Sequence, residues 1–267
     1  MQMRVAKTSS LRLFLDRLYD RYNRPEYVSP DPLEILFRYR RDDDREVVGL
    51  LAALLAYGGV KQIIAGATNA VGRMGGGPAE FVRRATEREL VEAFRGFRHR
   101  WSTGRDVVAL LLGVRHAIET CGSLEASFCA GLRSQDETVL PALTTWVALL
   151  RGGGGRTNRD LLSCPGKGSA CKRLNLFLRW MVRKDDVDPG LWRRVPVSKL
   201  VIPLDLHMFR VCSWLGFTQR RSADLRTAVE ITNAFRKIRP DDPVRYDFAL
   251  TRAAMRRELD FGKRVLA

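Results

Sequence analysis

Residues 157–182 read TNRDLLSCPGKGSACKRLNLFLRWMV, and this order of residue types sets the architecture. Thr157 to Leu162 reads as a short helix. Ser163-Cys164-Pro165-Gly166-Lys167-Gly168 reads as a tight loop, because Pro and Gly punctuate a chain more strongly than any other residues. A second helix starts at Ser169 or Ala170 and runs to about Val182, with Leu174, Leu176, Phe177, Trp180 and Met181 apolar. A Pro-Gly-x-Gly turn opening a helix presents several backbone N–H groups, and the dipole of that helix adds positive potential. Together they suit an anion. Gly166 and Gly168 let a phosphate approach the backbone closely, and Lys167 adds a point charge. The same turn also serves as a plain connector between two packed helices.

Outward from this segment the chain is helical in both directions. Leu11, Phe14, Leu15, Leu18, Tyr19 and Tyr22 recur at three- and four-residue steps, and Asn23 and Pro25 stop that helix. Asp31-Pro32 starts a second one. Asp42-Asp43-Asp44 reads as a cap and acidic first turn for a helix apolar on nearly every face from Val47 to Leu55, which Gly58-Gly59 ends. Helical patterns follow over 60–74, 78–84, 106–120, 124–132 and 138–150. After residue 200 they run from Asp205 to about Leu215, from Asp224 to Ile238 and from Pro243 to about Arg257. No convincing period-two strand and no internal repeat is present. The predicted class is all-α.

Composition narrows the partners. The 267 residues carry 46 Lys+Arg against 30 Asp+Glu, a formal net charge of +16, and 45% are hydrophobic. That is too apolar for a disordered chain, and five Cys are too few for a disulfide scaffold. The excess charge predicts a polyanionic partner. No run approaches the roughly 18 apolar residues of a membrane span, so no membrane is expected. Met1 to Arg12 lacks the apolar core of a secretory signal. The five Cys (Cys121, Cys129, Cys164, Cys171, Cys212) are irregularly spaced, fit a reduced cytosolic protein, and include no CxxC pair, so no metal is expected. Many basic residues fall late in the chain, among them Lys172, Arg173, Arg179, Arg183, Arg239, Arg252 and Arg256.

One further motif stands out: Pro203-Leu204-Asp205-Leu206-His207-Met208-Phe209-Arg210-Val211. An Asp directly before an amphipathic helix is ordinarily its N-cap. The order of the Pro165-Gly166-Lys167-Gly168 turn, Lys172, and then the Asp205-x-His207-x-x-Arg210-Val211 segment resembles the helix–hairpin–helix (HhH-GPD) superfamily of base-excision DNA glycosylases. The long gap from hairpin to Asp, and a Lys within the second hairpin helix rather than at its start, are nearest to the archaeal 8-oxoguanine DNA glycosylase branch. The chain as a whole is similar to a bacterial family whose function is not established. The diagnostic part covers about Thr157 to Gly216, and more loosely Glu46 to Gln62.

The resemblance implies two all-helical lobes with a DNA-binding cleft between them. Residues 41–185, including the hairpin at 157–183, would form the central lobe. Residues 1–40 and 186–267 would form the second. It also implies a base-excision repair enzyme, a glycosylase with AP lyase activity, acting on an oxidised purine such as 8-oxoguanine. Lys172 would be the nucleophile, forming a Schiff base at C1′, with burial and Arg173 lowering its pKa. Asp205 would stay ionised at its helix N-terminus and stabilise the oxocarbenium-like sugar. The fate of most lysines in a basic helix is different, either solvation or phosphate contact. Lys167 stands where the superfamily is usually apolar and is assigned to phosphate.

Pro165, Gly166, Lys167, Gly168, Arg173, His207 and Arg210 are the expected DNA contacts. His207 could equally be a packed helix-face residue. Tyr57 and Gln62 fall where related enzymes fill the gap left by a flipped base, although a core Tyr ending a buried helix is the plainer reading of Tyr57. Trp180 and Trp214 could stack on the base, yet at helical spacing they are more often core. Some members of the superfamily hold an iron–sulfur cluster on four C-terminal Cys. No Cys follows Cys212 here, so that cluster is not expected, and Schiff-base chemistry needs no other cofactor. The expected partner is double-stranded DNA with a damaged base, the expected state a monomer, and the expected location the cytoplasm with the nucleoid. A monofunctional or non-catalytic nucleic-acid-binding protein with the same hairpin is the alternative.

Overall fold

The computed structural model describes residues 2–153 and 161–259, with the side chains of residues 2–9 left aside. The fold is all-α. Helix α1 (Gln2–Tyr22) buries Leu11, Leu15 and Tyr22 and ends where Asn23 and Pro25 interrupt the pattern. Pro32–Arg38 forms a 3₁₀ helix rather than an α-helix, capped by Asp31, whose carboxylate accepts the Leu33 N–H at 2.9 Å. Helix α2 (Asp42–Leu54) is buried on nearly every side, as its composition requires. Its acidic start is not its own cap, because Arg41 holds that position without a side-chain bond. Asp44 is buried instead and accepts the Ala79 N–H at 2.8 Å, tying α2 to the first turn of the helix at 78–84.

Gly58, at φ +108°, breaks the chain between α2 and α3 (Val60–Gly72); a Cβ there would lie 2.8 Å from the Arg100 guanidinium. Helices α4 (Pro78–Arg84) and α5 (Glu87–Ala93) follow, the latter opened by a Thr86–Glu89 capping box. Two short strands, β1 (Arg98–His99) and β2 (Ser102–Thr103), then pair as an antiparallel hairpin, an element the sequence pattern does not reveal. Helices α6 (Gly104–Cys121), α7 (Leu124–Cys129) and α8 (Leu140–Gly153) pack on one another. Gly113 makes the closest of these contacts, since a Cβ there would meet the Leu150 carbonyl.

Helix α9 (Lys172–Val182) crosses α2 at the centre. Beyond it the chain turns back on α9: Gly190 and Trp192 donate to the Trp180 and Met181 carbonyls, and Trp192 packs against Trp146 and Phe177. The chain therefore passes residues 185–186 without leaving the central helices. Helices α10 (Leu206–Trp214), α11 (Leu225–Ile238) and α12 (Asp247–Met255) complete the fold, with α1 and α10 both packed on α12. Buried apolar residues from Leu11 to Leu259 form one continuous core. Among the described residues no helix is long and apolar enough to cross a membrane.

Candidate functional site

Two N-termini converge here. Asp205 caps α10: its Oδ1 accepts the Met208 N–H at 2.8 Å, which fixes the carboxylate. Its other oxygen, Oδ2, lies 3.6 Å from Lys172 Nζ, and the two side chains keep 22% and 36% of their exposure. An ion pair this exposed is worth about 0–1 kcal/mol, so stability alone does not account for it. Lys172 is the first residue of α9, not an interior one. The helix starts later than expected because Cys171 sits in the left-handed region at φ +48°, which delays the first helical residue and aims Lys172 back toward α10.

The pair opens on a cavity of about 630 Å³. Ala56, Tyr57, Gly58 and Gly59 of the turn after α2 line one wall, and Leu176 of α9 and Pro203 line others. The floor comes from far away in sequence. Asp31, Asp247, Phe248 and Arg252 reach it, and Arg252 donates to Asp31 at 2.6 Å while its guanidinium lies 4.8 Å from the Phe248 ring centroid. Asp247 takes a bond from Arg179, and burial pushes its carboxyl up to about 6 against the pull of that guanidinium. Sequence reading missed these floor residues, since no local spacing links Asp31 to a helix more than two hundred positions later. A depression of about 730 Å³ lies between α5 and α6, lined by Val91, Phe94, Val108 and Leu112 among others, and it holds no comparable pair.

The expected contacts divide into three groups. In the loop, Pro165 to Lys167 form a 3₁₀ turn, Gly168 adopts φ +79°, and Pro165 is buried while Gly166, Lys167 and Gly168 are exposed. The Lys167 and Gly168 N–H groups are spent inside the turn, on the Cys164 and Pro165 carbonyls. Residues 157–160 of the expected first hairpin helix lie outside the described residues. His207 and Arg210 are exposed on α10, and His207 lines the cavity. Arg173 points inward: it donates to the Leu54 carbonyl at 2.7 Å and lies over the Tyr57 ring.

Among the aromatic candidates, Tyr57 lines the cavity and its hydroxyl is hydrogen-bonded to Ser102 Oγ at 2.7 Å. Gln62 is exposed beside Gly58. Trp180 cannot stack on any ligand, because its side chain is wholly buried in the core. Trp214 packs edge-on to Phe14 of α1 and does not line the cavity.

The late basic cluster is also partly internal. Arg179 pairs with Asp188 and Asp247. Arg183 pairs with Asp185, Asp188 and Asp242, and both guanidiniums are buried. Arg239 pairs with Asp16, and Arg252 with Asp31. These four residues pair with buried or half-buried carboxylates.

Neither a curated protein nor a solved structure matches the chain. A family model described as "Protein of unknown function (DUF2400)" matches residues 31–256, a span that holds Asp31, Lys172, Asp205 and Arg252 together, and the chain belongs to that family.

Proposed function

We propose that the protein is a DNA glycosylase with AP lyase activity that removes an oxidised purine, most simply 8-oxoguanine, through a Schiff base on Lys172. One observation carries the reading: a primary amine and a capped carboxylate stand 3.6 Å apart in the lining of a cavity of about 630 Å³. The resemblance of the loop at 165–168 and the Asp205 segment to helix–hairpin–helix glycosylases supports it, as does the +16 charge.

A base inside a duplex is out of reach, so the target nucleotide leaves the stack and its base enters the cavity. Phe248, Tyr57, Arg252 and Asp31 line it. As the bond from C1′ to the base breaks, the electron pair leaves with the base and positive charge grows on the sugar. The Asp205 carboxylate, held by Met208 N–H, stabilises that charge. An amine must lose its proton before it attacks, and Asp205 Oδ2 is the nearest carboxylate oxygen to receive it. Lys172 Nζ then bonds to C1′. Opening of the sugar ring, with a proton passing to O4′, gives the imine; water then takes a C2′ proton, the C2′–H electron pair forms a C2′=C3′ double bond, and the 3′-phosphate leaves with the C3′–O electrons, which cuts the strand. Lys167, His207 and Arg210 hold the DNA backbone beside this step.

The ion pair itself favours a second reading. Lys172 and Asp205 are already counter-ions, and Asp205 already caps α10, so a nucleic-acid-binding protein without chemistry would need nothing more of them. A panel of duplexes, each with one damaged base, separates the two. The glycosylase reading expects base release from an oxidised-purine duplex by wild type and none by Asp205→Asn, with binding retained. Tight binding and no base release from any lesion would leave only the binder.

A further inference from the structure

The β1–β2 hairpin was invisible in the sequence, and its tip is unusual. Trp101 is 49% exposed, while Trp146, Trp180 and Trp192 are buried. Its indole lies on the Tyr57 ring, centroids 4.5 Å apart and planes 17° from parallel, and the Arg100 guanidinium is 4.9 Å from the indole centroid. Several contacts hold the tip in this pose. His99 fits against Gly66 of α3 so closely that a Cβ there would clash with the imidazole. The Tyr57 hydroxyl bonds Ser102 and the His99 carbonyl. Arg100 adopts φ +52°, a conformation that costs a non-glycine residue energy and recurs where structure serves function. Single exposed apolar side chains need no explanation. An exposed indole fixed by an aromatic stack, a cation and a left-handed backbone does.

The surroundings select the partner. Residues 96–105 carry Arg98, Arg100 and Arg105 and no acidic residue. Trp101 also borders a second depression, about 410 Å³, lined by Ser163, Cys164, Lys167 and Ser169 of the loop. Tyr57 lines the Lys172–Asp205 cavity, so its stack with Trp101 joins that cavity to this depression. A half-exposed indole with the Arg100 guanidinium over its ring, and Arg98 and Arg105 close by in sequence, fits an unpaired nucleobase with its own phosphates, because stacking on an aromatic ring accepts any base and cations track the backbone. A nucleic acid brings a phosphate for the cations with every ring it stacks, whereas a protein partner's aromatic or proline side chain brings none.

We propose that the exposed part of Trp101, with Arg100, is a docking platform for one unpaired nucleobase of a DNA strand whose phosphates run along the loop at 163–169. This rests on DNA being the partner but not on the chemistry at Lys172.

The test compares a DNA duplex containing a one-nucleotide bulge with the same duplex fully paired, by fluorescence anisotropy at several salt concentrations. Wild type is expected to prefer the bulged duplex. Trp101→Ala should lose about five- to a hundredfold in affinity for the bulge with an unchanged salt dependence, and Trp101→Phe should keep most of it. Equal binding of both duplexes by wild type, or a preference intact in Trp101→Ala, would overturn the platform. So would a Trp101→Ala protein that changes only its self-association, since the face would then belong to a second copy. A Trp101-dependent preference in a protein that excises no base would sink the glycosylase reading and leave the platform standing. Full excision with no role for Trp101 would do the reverse.

Discussion

The two ends of α9 carry the same kind of residue to opposite purposes. At the first turn Lys172 meets one carboxylate, Asp205, at the edge of a cavity, with 36% of its side chain exposed. At the last turn Arg179, with Arg183 just beyond it, is buried in a lattice of Asp185, Asp188, Asp242 and Asp247 that staples α9 to α12 and to the loop after it. Asp188 alone bonds both guanidiniums. The buried end has several partners for each charge, as burial demands. Among the described residues the exposed end pairs with one carboxylate, and it has room for a guest. A net charge of +16 counts both ends alike, and only their surroundings tell a structural cation from a working one.

Substitutions at the two ends should therefore fail differently. Lys172→Ala should lower base excision and strand cleavage on the order of a thousandfold or more while denaturant unfolding shifts by less than about 1 kcal/mol. A large loss of stability with activity intact would make Lys172 the structural cation. Asp188→Ala should do the opposite: it takes from two buried guanidiniums the carboxylate they share and should cost about 3–5 kcal/mol in urea unfolding. A neutral result there would remove the contrast on which the comparison stands.

Glu46 of α2 sharpens the point, because its hydrogen-bond donor is the neutral Trp192 indole rather than a cation. Burial pushes its carboxyl up to about 7 from the ordinary 4.5. A carboxyl raised in the folded state contributes full stability below its unfolded value and loses it as pH climbs through the folded one. Glu46→Gln should therefore match wild type near pH 4.5 and exceed it by up to about 3 kcal/mol at pH 8, read as melting temperature across pH. The smallest effect belongs to Lys167, an exposed cation of the loop. Lys167→Ala should weaken DNA binding uniformly across sequences and reduce the salt slope by about 1.

Much of the fold was legible because helices announce themselves locally. The stops at Asn23, Gly58 and Gly216, the Pro78–Arg84 helix and the Asp205 cap all follow from periodicity and end residues. Tertiary facts were not legible. Asp44 looks like a cap for its own helix but serves another. The β1–β2 hairpin is two residues deep on each side, too short for alternation to register. Lys172 moved to the head of α9 because Cys171 takes a left-handed conformation that its residue type does not advertise. The resemblance implies that Lys172 and Asp205 share one cleft, and only the structure shows them paired at 3.6 Å. The cavity floor at Asp31, Asp247 and Arg252 unites the two ends of the chain, where no motif operates. Trp180 obeyed helical spacing and is core.

Borohydride trapping on a duplex containing 8-oxoguanine reads out the nucleophile itself. Wild type is expected to give a covalent protein–DNA adduct, mapped by peptide mass to Lys172, and Lys172→Ala none. An adduct that forms equally well in Lys172→Ala, or no adduct from wild type on any damaged or abasic duplex, would contradict the Lys172 assignment.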